Sequence, residues 1–186
     1  MKKIKKSPIV DIDIFKEKYI LTTVHRRENW GNPIRNIAKG ILKIADRNKK
    51  LKFIIPMHMN PLVRVPLIDI LGNNKNILLI DPIPYLDFIV VLKHSAIVLT
   101  DSGGIQEEAH TLGKPILILR DSTERPEVLV GGNAFLVGTD SKIIEMELNK
   151  LLENSSEFKF NKKNLKTFGN GNASKFIVEK TLHFLK

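Results

Sequence analysis

Thr100-Asp101-Ser102-Gly103-Gly104-Ile105-Gln106-Glu107-Glu108 is the stretch that decides how this chain folds. The apolar run Ala96-Ile97-Val98-Leu99 precedes it, and Ala109, Leu112 and Gly113 follow. That order reads as a strand, a tight glycine turn and the start of a helix. Gly103 and Gly104 carry no Cβ to hold an anion away from the backbone. The first N–H groups of a helix lack intrahelical partners and lie at the positive end of its dipole, which makes them a phosphate site. Glu107 and Glu108 come one turn later, at a spacing suited to sugar hydroxyls. Alone, the stretch is equally well a plain strand-to-helix turn with acids near a helix start. As a ligand site, it suits a diphosphate joined to sugars.

Working outward, the same alternation recurs along the chain. Apolar, β-rich runs occupy residues 19–24, 51–55, 77–80, 96–100, 115–119 and 134–137. Between the first two, Ile34, Ile37, Ala38, Ile41, Ile44 and Ala45 recur at helical spacing, with Pro33 suited to the first turn. Residues 62–71, 86–92 and 105–112 are shorter helical candidates. Between 119 and 134, Pro126, Gly131 and Gly132 leave room only for a short helix. A helix over 143–152 takes Asp140 or Ser141 as its cap. A last one spans 173–185, after the turn-rich Gly169-Asn170-Gly171-Asn172. The alternation predicts an α/β fold: a Rossmann-like, mainly parallel sheet with helices on both faces.

In such a sheet the polar clusters fall together. His25-Arg26-Arg27-Glu28-Asn29, His58-Met59-Asn60, Asp81, Asp101-Ser102 and Arg120-Asp121 through Arg125 each follow a strand. All are expected beyond the carboxyl ends of the strands, where open α/β sheets bind ligands. His25, between a strand and two arginines, reads as a phosphate-binding group or general acid, or else as a loop histidine bonded to backbone. His58 has the same two readings. His94 is expected to complement a helix C-terminus, and His110 and His183 fall within helices without assigned chemistry. Arg125 reads either as half of a Glu–Arg pair in a surface turn or, beside the glycine turn in sheet order, as a contact to phosphate or to the acids there. Phe88 reads as core, or as an aromatic facing a nucleobase at the sheet edge.

Bulk properties narrow the class. The chain has 186 residues, enough for one well-filled core, or for a domain with an appended tail. It has no cysteine, which excludes disulfides and thiolate metal sites. No His-x-x-x-His pair or matching carboxylate suggests a metal, and none is expected. Its apolar runs are too short to span a bilayer. Met1-Lys2-Lys3-Ile4-Lys5-Lys6 opens like a signal peptide, but Asp11 and Asp13 interrupt any apolar segment, so the expectation is cytoplasmic. The formal net charge of +10 arises partly from Lys2, Lys3, Lys5, Lys6, Lys159, Lys162, Lys163 and Lys166. Without a helix-turn-helix, aromatic or zinc signature, that charge is read as attraction for anionic small molecules, with nucleic acid and membrane excluded as partners.

Thr23-Val-His-Arg-Arg-Glu-Asn29, His58-Met-Asn-Pro61, Asp101-Ser-Gly-Gly-Ile-Gln-Glu-Glu-Ala109, Gly113-Lys-Pro115 and Arg120-Asp-Ser-Thr-Glu-Arg-Pro-Glu127 together resemble the non-hydrolysing UDP-N-acetylglucosamine 2-epimerases. The resemblance runs in order from about Tyr19 to Leu152. It implies the C-terminal, UDP-binding domain of a GT-B fold, which would divide the chain into a lysine-rich leader or linker (1–18), a Rossmann-like UDP-binding domain (19–154) and a tail with a helix (155–186). It also implies interconversion of UDP-N-acetylglucosamine and UDP-N-acetylmannosamine through elimination and re-addition of UDP, without a cofactor. By motif, Ser102, Gly103 and Gly104 would hold the diphosphate and Glu108 the ribose hydroxyls. Phe88 would lie at the uracil through its backbone, Arg125 would contact UDP, and His25 would assist its departure. Arg26 and His58 would touch a second, regulatory nucleotide-sugar.

The family's proton-handling carboxylates lie in an N-terminal domain that does not precede Tyr19, and Thr167-Phe168-Gly169-Asn170-Gly171 stands where the family has Pro-Tyr-Gly-Asp-Gly. The expectation is therefore a fragment, a split-enzyme half or a relic that needs an N-terminal domain in cis or trans, with a homodimer left open. The competing expectations are a non-catalytic nucleotide-sugar-binding or regulatory module, or the nucleotide half of a GT-B glycosyltransferase.

Overall fold

The computed structural model describes residues 17–153 and 167–185. The expected lysine-rich leader, apart from its last two residues, and the lysines at 159, 162, 163 and 166 lie outside the described residues.

Six parallel strands form one sheet in the order β3-β2-β1-β4-β5-β6. They are β1 (Tyr19–Thr23), β2 (Lys52–Pro56), β3 (Ile77–Ile80), β4 (Ile97–Thr100), β5 (Ile116–Ile118) and β6 (Ala134–Leu136). The helices are α1 (Asn32–Arg47), α2 (Pro61–Leu71), α3 (Tyr85–His94), α4 (Gly103–Thr111), α5 (Pro126–Val130), α6 (Ser141–Glu153) and α7 (Ala173–Phe184). A single 3₁₀ turn covers Arg27–Asn29. The expected α/β class and its six strands are borne out, with ends moved by a residue or two. The central strands β1 and β4 are buried along their whole length, because a parallel strand covered on both faces has no solvent side.

The period-two alternation of the strands divides the core. Ile20, Phe53, Ile55, Ile97, Leu99 and Leu117 face α1, α2 and α6. Tyr19, Leu21, Ile54, Val98, Ile116 and Ile118 face α3, α4 and α5. Four isoleucines of α1 are fully buried in the first layer. At roughly 1.5–3 kcal/mol for each such side chain, they outweigh the cost of about 1 kcal/mol for Gly40 in the helix interior. That glycine lets α6 cross closely, since a Cβ there would fall 3.1 Å from the Ser141 carbonyl and 3.3 Å from Ile144 Cγ2.

α6 begins as read, with Asp140 accepting from the N–H groups of Lys142 (2.8 Å) and Ile143 (3.1 Å). One expectation needs correcting. No separate glycine turn joins β4 to α4. Gly103 and Gly104 are themselves the first residues of α4, and neither has a positive φ. What glycine provides here is bare backbone rather than an unusual conformation.

Candidate nucleotide site at the switch point

β1 and β4 are neighbours, but α1 leaves toward one face of the sheet and α4 toward the other. The divergence opens a crevice between the two strand ends, the place where doubly wound sheets take ligands. Asp101, directly after β4 and wholly buried, ties the crevice together. Its two oxygens accept from the backbone N–H of His25 (3.1 and 3.0 Å), the N–H of Arg26 (2.9 Å) and the Asn29 amide (3.0 Å). Asn29 also donates to the Leu119 carbonyl at 3.1 Å, so the loop after β1 is laced to the ends of β4 and β5. Thr23 and Thr100 join their hydroxyls at 2.7 Å, and Thr100 Oγ1 accepts the Ser102 N–H at 3.0 Å.

On this frame several of the candidate side chains converge. His25 Nδ1 lies 3.4 Å from Asp101 Oδ1, and its ring stacks on that of His58 with centroids 5.9 Å apart and planes 20° apart. His58 is fixed in turn by Nδ1 accepting the Asn60 N–H at 3.1 Å. His25, Arg26, Trp30, His58 and Asn60 line an open cavity of about 510 Å³.

Beside the cavity, α4 starts with no side-chain cap from Ser102, which leaves its first amides to an incoming acceptor. A Cβ on Gly104 would meet nothing within 4 Å. One on Gly103 would sit 3.6 Å from Arg26 Nη2 and 3.9 Å from both Arg125 Cζ and Glu124 Oε2. Two guanidinium groups thus stand over the bare opening turn of the helix.

The surrounding charges are paired. Arg125 donates through Nε to Glu107 and through Nη1 to the Glu124 carbonyl (3.2 Å). Its own N–H donates to Thr123 Oγ1 at 3.0 Å, and Thr123 in turn donates to the buried Gln106 at 2.6 Å, which locks the Arg125 loop to α4. Arg120, nearly buried, forks onto Glu124 at 2.6 and 2.9 Å and also binds Glu28. The Arg120 pair holds the Glu124 carboxyl down at about 2. Glu108 behaves oppositely: burial first, and then the charge of Glu107, push its pKa up against a hydrogen bond from Tyr85 that lowers it. That bond, from Tyr85 Oη to Glu108 Oε1, is 3.1 Å long and brings the start of α3 to the site.

Of the residues singled out in the sequence, His25, Arg26, His58, Ser102, Gly103, Gly104, Glu108 and Arg125 all lie on this frame. Phe88 stands one turn further along α3, half-buried against the second core layer, with its N–H donating to the Pro84 carbonyl at 2.9 Å. Asp81 does not join the group. It pairs with Arg64 at 2.7 Å beyond β3, at the outer edge of the sheet. His94, in the last turn of α3, has Nδ1 2.9 Å from the Val90 carbonyl. Sequence reasoning missed the hub role of Asp101, the Tyr85–Glu108 bond and the Glu28–Arg120–Glu124 network. A signal existed for the last: opposite charges follow β1 and β5, which flank β4 in the sheet. Among the described residues, no cluster of three or more histidines and carboxylates is arranged to hold a metal ion, and no helix is long and apolar enough to cross a membrane.

A family model described as UDP-N-acetylglucosamine 2-epimerase matches residues 1–182. The Escherichia coli K12 protein named UDP-N-acetylglucosamine 2-epimerase is 43% identical over 92% of this chain and 45% of its own length. The namesake from Neisseria meningitidis serogroup A is 46% identical over 89% of this chain and 44% of its own. The chain therefore spans about half the length of the curated relatives it matches. Among solved structures, the UDP-GlcNAc 2-epimerase from Neisseria meningitidis bound to UDP-GlcNAc superposes with a TM-score of 0.85 at 46% identity, covering 90% of this chain and 45% of that one. The S. aureus MnaA–UDP co-structure gives 0.86 at 38%, covering 97% and 49%. The E. coli heptosyltransferase WaaC with ADP, at 13% identity over 79% of this chain and 47% of that one and a TM-score of 0.57, shares the fold alone.

Proposed function

The chain belongs to the UDP-N-acetylglucosamine 2-epimerase family, and from that premise we propose that it is the UDP-sugar-binding half of an enzyme that interconverts UDP-N-acetylglucosamine and UDP-N-acetylmannosamine. The observation that carries this reading is the uncapped, glycine-bare start of α4 with Arg26 and Arg125 beside it. That arrangement suits two linked phosphates: backbone N–H groups meet the oxygens, and the guanidinium groups neutralise their charge. Glu108, oriented by Tyr85 one turn along the helix, is suited to the ribose hydroxyls.

The proposed chemistry begins when a base takes the proton from C2 of the sugar. The C–H electron pair forms the C1=C2 bond, and the C1–O pair leaves with UDP, giving a glycal. Re-addition of UDP and return of a proton on the opposite face of C2 completes the inversion. Charge develops on the β-phosphate oxygen as C1–O breaks, so fixed dipoles and cations at that oxygen lower the barrier. The α4 amides, Arg125 and His25 are the groups in this chain suited to that task. The base at C2 is assigned to the other half of the family's length, which the relatives have and this chain does not span.

Calorimetry with UDP tests the binding half of the proposal. Mixing the chain with the N-terminal half of a relative, and following deuterium entry at C2 of UDP-N-acetylglucosamine in heavy water, tests the chemistry. UDP binding without exchange by the assembled pair would favour a non-catalytic nucleotide-sugar module; absence of UDP binding would remove both readings.

A further inference from the structure

We propose that Asp101 is a positioning residue for His25, fixing which ring nitrogen carries the hydrogen. This rests on the reading of His25 as the group that meets the departing diphosphate. Asp101 is fully buried, and its oxygens are held by three separate donors from the loop after β1: the N–H groups of His25 and Arg26 and the side-chain amide of Asn29. A carboxylate held from three directions cannot turn. His25 Nδ1 stands 3.4 Å from Oδ1 of that carboxylate. An ionised carboxylate only accepts hydrogen bonds, so the ring nitrogen facing it is the one that carries hydrogen.

Neutral His25 is thereby the Nδ1–H form, with Nε2 on the side of the ring away from Asp101; the residue itself lines the cavity with Arg26 and His58. A charged His25 would carry its second N–H at Nε2, on the side of the ring away from Asp101. The stacked neighbour has the opposite arrangement. His58 Nδ1 accepts from the Asn60 N–H at 3.1 Å, so neutral His58 carries its hydrogen on Nε2. Two parallel imidazoles 5.9 Å apart therefore present different tautomers, each fixed by its own loop. A half-turn of the His25 ring would set a carbon against Asp101 and lose the donor.

The test is the tautomeric state itself, which a purely structural Asp101 would not dictate. In the ¹⁵N-labelled chain, long-range ¹H–¹⁵N correlations of the histidine rings at alkaline pH separate the two forms, with His25 assigned through His25→Gln. The expected spectrum shows His25 as Nδ1–H and His58 as Nε2–H. His25 found as Nε2–H in the native chain would overturn the proposal, as would Asp101→Asn folding with the Nδ1–H form intact. Conversion of His25 to Nε2–H in folded Asp101→Asn would support it. If that variant does not fold, the native spectrum decides alone. UDP added to the same native sample separates the two layers. Nδ1–H without UDP binding would sink the functional reading while supporting the positioning geometry, and Nε2–H with UDP bound would sink the positioning alone.

Discussion

Gly104→Ala separates binding from folding at the opening turn of α4. The glycine is exposed, its φ is negative, and an added Cβ would meet nothing within 4 Å. Alanine therefore fits without strain, and as the better helix former it stabilises by up to about 1 kcal/mol. For a chain of this length that is at most about 2–4 °C in Tm. Side chains lean toward the N-terminus of their helix, so the same methyl group leans over the first amides. If a phosphate docks there, the methyl pushes it off one charge-assisted hydrogen bond, worth about 1.5–3 kcal/mol. UDP affinity should fall about tenfold to a hundredfold while Tm holds or rises, measured by calorimetry and thermal melting on the same sample. A useful control is Gly132→Ala, which also meets open space but has φ +76°. It should lose about 1–2 kcal/mol of stability and no UDP affinity. A folded Gly104→Ala that binds UDP within about twofold of the native chain would refute the docking geometry.

Three further outcomes follow from named contacts. Glu108→Ala should weaken UDP binding by about 1–3 kcal/mol, and Tyr85→Phe by less, because the phenol only orients the carboxylate; calorimetry with equal effects from both would contradict that order. The Glu124 carboxyl, held down at about 2 by Arg120, favours the fold at pH values above the ordinary carboxylate pKa, and that stabilisation is lost as pH falls from about 4.5 to about 2. Glu124→Gln should accordingly melt below the native chain at pH 7, with the gap closing in acid; a gap independent of pH would rule out the ion pair as its source. Asn29→Ala removes two buried hydrogen bonds, one to Asp101 and one to the Leu119 carbonyl, and should cost about 2–3 kcal/mol in urea unfolding.

The fold was legible because its signals are local. Each strand is a short apolar run, each helix on the first core face carries aliphatic residues at three- and four-residue spacing, and Pro33 and Asp140 mark starts that the structure keeps. The glycine turn was misread for an equally local reason. Paired glycines after a strand suggest a turn of their own, but at α4 they are already the first helical residues, at ordinary φ. Nothing in Gly103-Gly104 as letters distinguishes the two.

The site was legible only as far as strand ends are. His25, His58, Ser102 and Arg125 could be placed because each follows a strand, and all strands of a parallel sheet end on the same side. What orients them was hidden, because it depends on which strands are neighbours. Asp101 meets His25 across 76 residues of sequence, and Arg120 meets Glu28 across 92. The order β2-β1-β4-β5 makes both meetings possible, and alternation alone does not give that order. It follows that residues of this crevice can be found from sequence, while the buried acid that holds the loop after β1 needs the topology. A substitution at Asp101 would thus disturb three donors and a histidine ring at once, although no pattern in the chain marks it apart from its neighbour Ser102.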